Sequence, residues 1–200
     1  MYRLPPASPE ELTAEARAAI EFARDSMGFT PNDALIMARW PALLQAVLGL
    51  VRTIYAPGTV DMELKRLVGL IASSAAGCRY CMAHNAYGLA QDGVARERIE
   101  AAWEFETSEL FTAAERAALR YAQLASQSPA AVGDAEFAEL GRHFDQQQIL
   151  ELTAVIALFG FLNRWNAALA VPLEDAPLNW AQQALQGTGW TAGPHAAVRR

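Results

Sequence analysis

Apolar residues recur along most of the chain at intervals of three and four, the period of a helix with one buried face. Ser8-Pro9-Glu10-Glu11 reads as a helix start, with a serine cap, proline at the first position and glutamate three after the cap. Leu12, Ala16, Ala19, Ile20 and Ala23 follow on one face, and the helix is expected to end near Met27-Gly28. Phe29 to Asp33 reads as a turn and a new cap, before a short helix over 34–39. Pro41 opens the next helix, carried by Leu44, Val47, Leu48 and Val51, and Ala56-Pro57-Gly58-Thr59 breaks it. Asp61 caps a helix over 62–76. Gly77 sits where glycine ends a helix, and Cys78 opens another that stops at Asp92-Gly93. Further helices are expected over 94–105, 108–126 and 134–143, and the longest, capped by Asp145, over 146–171. After Pro172 the chain turns polar and Gly-rich, and 187–200 reads as a loosely ordered tail or one docked on a partner subunit. No segment alternates as a strand does, so the fold class is all-α.

The order of residues also repeats. Thr13 to Ala23 resembles Thr112 to Ala122, and Leu67 to Ala83 resembles Leu152 to Ala168. In the second match Cys78-Arg79-Tyr80-Cys81 falls on Asn163-Arg164-Trp165-Asn166. The chain therefore reads as one domain of two related halves, about 8–105 with thiols and about 108–175 without, followed by a tail over 176–200.

Composition narrows the function. The 200 residues are 52% apolar and carry a net charge of −6, which disfavours phosphate and hence nucleic acid. The N-terminal stretch is Pro-rich and then acidic, unlike a secretory leader. The apolar run 152–162 falls short of the ~20 residues a membrane span needs. A soluble, cytoplasmic protein with no membrane partner is expected. Only two cysteines occur, too few for a disulfide scaffold, so the pair points to chemistry or metal. The five tryptophans, Trp40, Trp103, Trp165, Trp180 and Trp190, read as core or interface anchors.

A cysteine at a helix start faces unpaired N–H groups and the positive end of the helix dipole, both of which favour thiolate. Cys78 and Cys81 lie one turn apart, close enough for a short disulfide. His84 lies one turn further on and suits proton transfer. Arg79 and the Tyr80 hydroxyl flank the pair. Two other readings stand beside this one: a zinc site of Cys78, Cys81 and His84 with His143 as fourth ligand, and two cysteines that are merely core. His143 and His195 otherwise read as surface residues.

The run Ala75-Ala76-Gly77-Cys78-Arg79-Tyr80-Cys81-Met82-Ala83-His84 resembles the signature of the carboxymuconolactone decarboxylase family, in particular its AhpD-like alkylhydroperoxidase and peroxidase-related branch. The specific match covers about 62–93. The flanking pattern, including Pro31-Asn32 and Asn163-Arg164-Trp165-Asn166, is similar over most of the chain. The resemblance implies an AhpD-like helical bundle, a homo-oligomer (dimer, trimer or hexamer), and a peroxidase or disulfide-reductase cycle without a bound cofactor. Cys81 matches the cysteine that attacks a hydroperoxide, and Cys78 the partner that supplies a proton and closes the disulfide. A thiol protein would return the electrons.

The chain departs from the AhpD pattern at two points. Histidine would fall at Asn85, and His84 comes one residue early; the relay glutamate would fall at Arg66. Guanidinium is no base, but Arg66 near the thiols would stabilise thiolate. Glu151, twelve residues before Asn163 as Arg66 is before Cys78, is the candidate replacement acid, with Glu63 another. A redox-sensing or binding oligomer on the same fold, and a lactone decarboxylase, are the competing functions.

Overall fold

The computed structural model describes residues 3–196, and every described element is helical. Ten α-helices follow in order: α1 (Ala14–Met27), α2 (Asn32–Met37), α3 (Pro41–Tyr55), α4 (Met62–Ala75), α5 (Arg79–Gln91), α6 (Arg96–Glu100), α7 (Ala113–Ala125), α8 (Asp134–Leu140), α9 (Gln146–Leu169) and α10 (Asp175–Ala184), with short 3-10 turns between and after them.

Side-chain capping fixes four of these starts. The side chains of Thr13, Asp61, Thr112 and Asp145 each accept a backbone N–H from the first turn of the helix that follows. Each such cap is worth about 1 kcal/mol. The expected start at Ser8 is a single 3-10 turn over Pro9–Glu11, and Thr13 caps α1 instead.

The main core packs α4 against α5, α7 and α9. Leu67, Leu70, Leu89, Leu119 and Leu152 are fully buried there, each contributing roughly 1.5–3 kcal/mol. α9 is long and apolar enough by length and composition to cross a membrane; here α3, α4, α5 and α7 pack around it. A second, smaller core joins α1, α2 and α3 through Ala16, Ala19, Met37 and Leu44.

The end of the chain departs from expectation. A tenth helix, α10, follows Pro172 and packs on α5. Beyond it, Trp190 is buried with its Nε1–H donating to the Arg79 carbonyl at 3.1 Å, and Arg79 donates to the Thr191 carbonyl. His195, expected at the surface, is buried and hydrogen-bonds through Nδ1 to the Val171 carbonyl at 2.6 Å. The tail therefore docks on its own chain as far as residue 196; residues 1–2 and 197–200 lie outside the described part. Trp40, read as an anchor, is 65% exposed.

Candidate functional site

The break between α4 and α5 creates the site. Gly77 adopts φ +71°, a left-handed conformation that only glycine takes without strain. Its N–H bonds to Ser74 O and the Cys78 N–H to Ser73 O, both at 3.0 Å, which closes α4 in a Schellman motif. The turn delivers Cys78 directly to the N-cap of α5, where its sulfur accepts the Cys81 N–H at 3.5 Å.

Both cysteines are free and buried, but they meet different surroundings. Cys81 borders a cavity of about 460 Å³; Cys78 does not. The cavity is the seam between the two cores, walled by α1, α2 and α3 on one side and by α4, α5 and α9 on the other. Its walls are mostly apolar, with Phe22, Met37, Val47, Leu48, Phe159 and Leu162 among them. The volume suits a small organic molecule. The partly exposed Phe22 and Met62 place its mouth beside α1 and the start of α4.

The two sulfurs are electrostatically unequal. The Cys78 thiol is held below its ordinary range by the hydrogen bond from Cys81, opposed by burial and supported by the N–H groups of Cys81 and Tyr80. Burial drives the Cys81 thiol well above that range, and the neighbouring Cys78 sulfur adds to the shift. Of the two sulfurs, Cys78 is the one whose surroundings favour thiolate and Cys81 the one whose surroundings favour the thiol. The resemblance to the family assigned attack to Cys81; the surroundings favour thiolate at its neighbour.

Four of the expected auxiliary residues are at the site. Asn85 donates from Nδ2 to the Cys81 carbonyl at 2.9 Å and borders the cavity. Arg66 also borders it and pairs with Asp92. A Cβ at residue 88 would overlap Arg66 Nη1, so Gly88 makes room for that side chain. Tyr80 stacks on His84 with ring centroids 4.2 Å apart. His84 lines the cavity and is bonded through Nε2 to Glu174 Oε2 at 2.6 Å.

Glu151 is elsewhere. Its carboxylate accepts from the backbone and hydroxyl of Thr59 and from the Val60 N–H, and pairs with buried Lys65 at 3.0 Å. The Thr59 N–H leads in holding its pKa down to about 2. Such a group fixes a loop and does not carry protons near neutral pH. Glu63 likewise pairs with Arg98, and His143 with Glu139.

Three residues that the linear sequence did not single out complete the site. Glu174, just before α10, takes the Tyr80 hydroxyl (2.7 Å) and the Asn32 N–H (2.5 Å) on Oε1 and His84 on Oε2. Burial opposes its charge, but these donors and His84 outweigh it and the carboxyl titrates below its usual range. Burial likewise opposes the charge on His84, and Glu174 reverses that, so the imidazole titrates above its usual range. Asn166 on α9 donates from Nδ2 to Cys81 Sγ at 3.3 Å. It is the residue that the internal repeat matches to Cys81, so that match was the signal for it. Asp33, expected as a helix cap, is the second residue of α2 and borders the cavity.

An all-helical bundle with a CxxC pair capping one helix and a His–Glu pair beside it has the AhpD-like fold. Residues 41–124, from α3 almost to the end of α7, match the carboxymuconolactone decarboxylase family. The chain is similar over nearly its whole length to the debrominase Bmp8: the ligand-free crystal structure is 36% identical, covers 90% of this chain and 97% of that one, and superposes with a TM-score of 0.84. A cysteine-to-alanine variant of Bmp8 in complex with 2,3,4-tribromopyrrole, 36% identical over 90% of this chain and 96% of that one, gives 0.85. An uncharacterized peroxidase-related protein with an AhpD core, from Ralstonia eutropha JMP134, shares the fold at 22% identity, covering 88% of this chain and 94% of that one, TM-score 0.79. The uncharacterized protein YnjA of Escherichia coli K12 is 32% identical over 115 residues, 58% of this chain and 63% of its own length. The chain belongs to the carboxymuconolactone decarboxylase family.

Proposed function

We propose that this protein is a two-thiol reductase that removes halogen from a small apolar aromatic molecule. The observation that carries the reading is the placement of the cysteines: Cys81 forms part of the wall of a 460 Å³, largely apolar cavity, and a thiolate-favouring Cys78 supports it from behind. The similarity to the debrominase Bmp8 supports the substrate class.

The chemistry follows from the two unequal sulfurs. Cys78 thiolate takes the Cys81 proton as Cys81 attacks the halogen, forming an S–halogen bond while the carbon–halogen bond breaks. The ring carbon keeps the bonding electron pair and takes up a proton. Cys78, deprotonated again, attacks the Cys81 sulfur and releases halide, leaving a Cys78–Cys81 disulfide. One carbon–halogen bond is reduced and two thiols are oxidised. An external thiol then reduces the disulfide.

A second reading, reduction of an apolar organic hydroperoxide, uses the same pair: Cys81 becomes a sulfenic acid and Cys78 condenses with it. The AhpD-like CxxC favours it. Deprotonation of Cys81 by Cys78 serves both reactions, and the similarity to Bmp8 is what favours the halogen substrate. Exposed Leu150 and Phe161 on α9, with the nearby Trp165 indole N–H unpartnered among the described residues, support a homo-oligomer, which light scattering on the purified protein tests.

The experiment for the function is turnover with dithiothreitol as bulk reductant. 2,3,4-tribromopyrrole is followed by bromide release and cumene hydroperoxide by peroxide loss, each with the native protein and Cys81→Ser. The proposal expects bromide release that Cys81→Ser abolishes. Peroxide turnover without bromide release selects the second reading. Neither activity overturns both.

A further inference from the structure

We propose that Asp33 is the catalytic acid of this site, delivering a proton to the substrate ring carbon from which Cys81 takes the halogen. The proposal rests on the halogen-removal reading and adds the residue that the thiol pair cannot supply.

The geometry rests on one amide. Asn166 Nδ2 lies 3.3 Å from Cys81 Sγ and 3.4 Å from Asp33 Oδ2, so sulfur and carboxyl stand at most about 7 Å apart. Both groups border the same cavity. His84, the other proton carrier there, has its Nε2 engaged by Glu174. Among the described residues, Asp33 Oδ1 accepts only its own helix's Ala34 N–H at 2.7 Å, and Oδ2 only the long contact to Asn166.

The surroundings favour the protonated carboxyl. His84, Tyr80 and Cys81 on α5, Glu174 before α10 and Asn166 on α9 surround it. Burial raises its pKa most; the His84 charge opposes that, the Glu174 charge raises it again, and the Asn166 and Ala34 hydrogen bonds pull it down a little, leaving the carboxyl above its usual range. Tyr80 is itself held neutral, with burial the leading cause. A neutral acid in an apolar cavity is the group that can protonate an electron-rich ring.

Protonation is needed because a halogen on a flat aromatic carbon is a poor target for sulfur. Transfer of the Asp33 proton to that carbon makes it tetrahedral and the ring cationic. Cys81 sulfur then takes the halogen, and the carbon–halogen electron pair restores the aromatic ring. The proton that Cys81 gave to Cys78 passes on to the Asp33 carboxylate when Cys78 closes the disulfide. Net, aryl halide, one thiol and one thiolate become arene, disulfide and halide, and Asp33 ends as it began.

Proton delivery can be read without the thiols. 2,3,4-tribromopyrrole keeps one ring C–H, and its replacement by deuterium in D2O is followed by NMR. The native protein is expected to exchange this hydrogen. Asp33→Asn, which can still bond Asn166, is expected to do so at least about 100-fold more slowly. Should Asp33→Asn not fold, the native rate itself decides. It falls as pH rises through a carboxyl titrating above the usual carboxylate range, whereas a rate that is flat or climbs with pH contradicts the proposal. Equal exchange by Asp33→Asn, or none by any protein, overturns it. Asp33-dependent exchange without bromide release upholds the acid and removes the halogen-reduction reading.

Discussion

His84 Nε2 and Glu174 Oε2 meet at 2.6 Å across ninety residues of sequence, with both side chains almost wholly buried. The contact ties α5, which carries the thiols, to the strap that leads into α10. It also makes the end of the chain part of the site: Glu174 orders His84 and Tyr80 together, and Tyr80 stacks on His84.

Replacement of Glu174 by Gln leaves the imidazolium without its counter-charge. Breaking a buried pair costs ~3–5 kcal/mol, but His84 can release its proton, so a loss of about 2 kcal/mol near pH 6 is expected. The folded pKa of His84 is raised. Its contribution is therefore complete below the unfolded value and disappears as pH rises through the folded one. Glu174, with a lowered pKa, contributes above the unfolded carboxylate range and loses its effect as pH falls through its folded value. Urea denaturation of native protein and variant should show the gap near pH 6 and a smaller one near pH 9. An equal gap at both would count against a charged pair.

The inequality of the thiols is measurable by alkylation. With iodoacetamide and peptide mass spectrometry across pH, Cys78 in Cys81→Ser should react at a pH below that of an ordinary thiol, because serine keeps the hydrogen bond to its sulfur. Cys81 in Cys78→Ser should need a pH above it, because burial remains. Reversed order would place the thiolate on the cavity side and contradict proton transfer from Cys81 to Cys78.

Glu151 provides a control on structure alone. Lys65 is 2% exposed and bonds the Ile54 and Ala56 carbonyls as well as Glu151. Glu151→Gln is expected to cost about 2–3 kcal/mol, somewhat less than a buried pair with no other partners. Turnover per folded molecule should stay native. Because the Glu151 pKa is lowered to about 2, the stability it adds is present above the ordinary carboxylate range and is lost as pH falls toward that value. A large fall in turnover without unfolding would restore it to the relay.

The helices and the thiol corner were legible because their signals are local. Thr13, Asp61, Thr112 and Asp145 cap within one turn, and Gly77 marks the break that sets Cys78 at the head of α5. Arg66, Tyr80 and Asn85 came from spacing and family pattern, and each borders the cavity. Glu174 and Asp33 were not legible, since neither has a motif and both matter only through helices that topology brings together. The pattern that placed Glu151 near the thiols failed for a physical reason. Its register assumed that α9 repeats α4 and α5, but α9 runs on unbroken where they are split by Gly77. α10 was missed because Pro177 interrupts a short, weakly apolar pattern.

The most direct measurement is a single turnover without air. Fully reduced protein is mixed with excess 2,3,4-tribromopyrrole, and bromide and free thiol are counted together. One bromide released per chain, matched by the loss of both thiols and a peptide linking Cys78 to Cys81, is the result this account requires. Two thiols still free after prolonged incubation, with no bromide in solution, would contradict it.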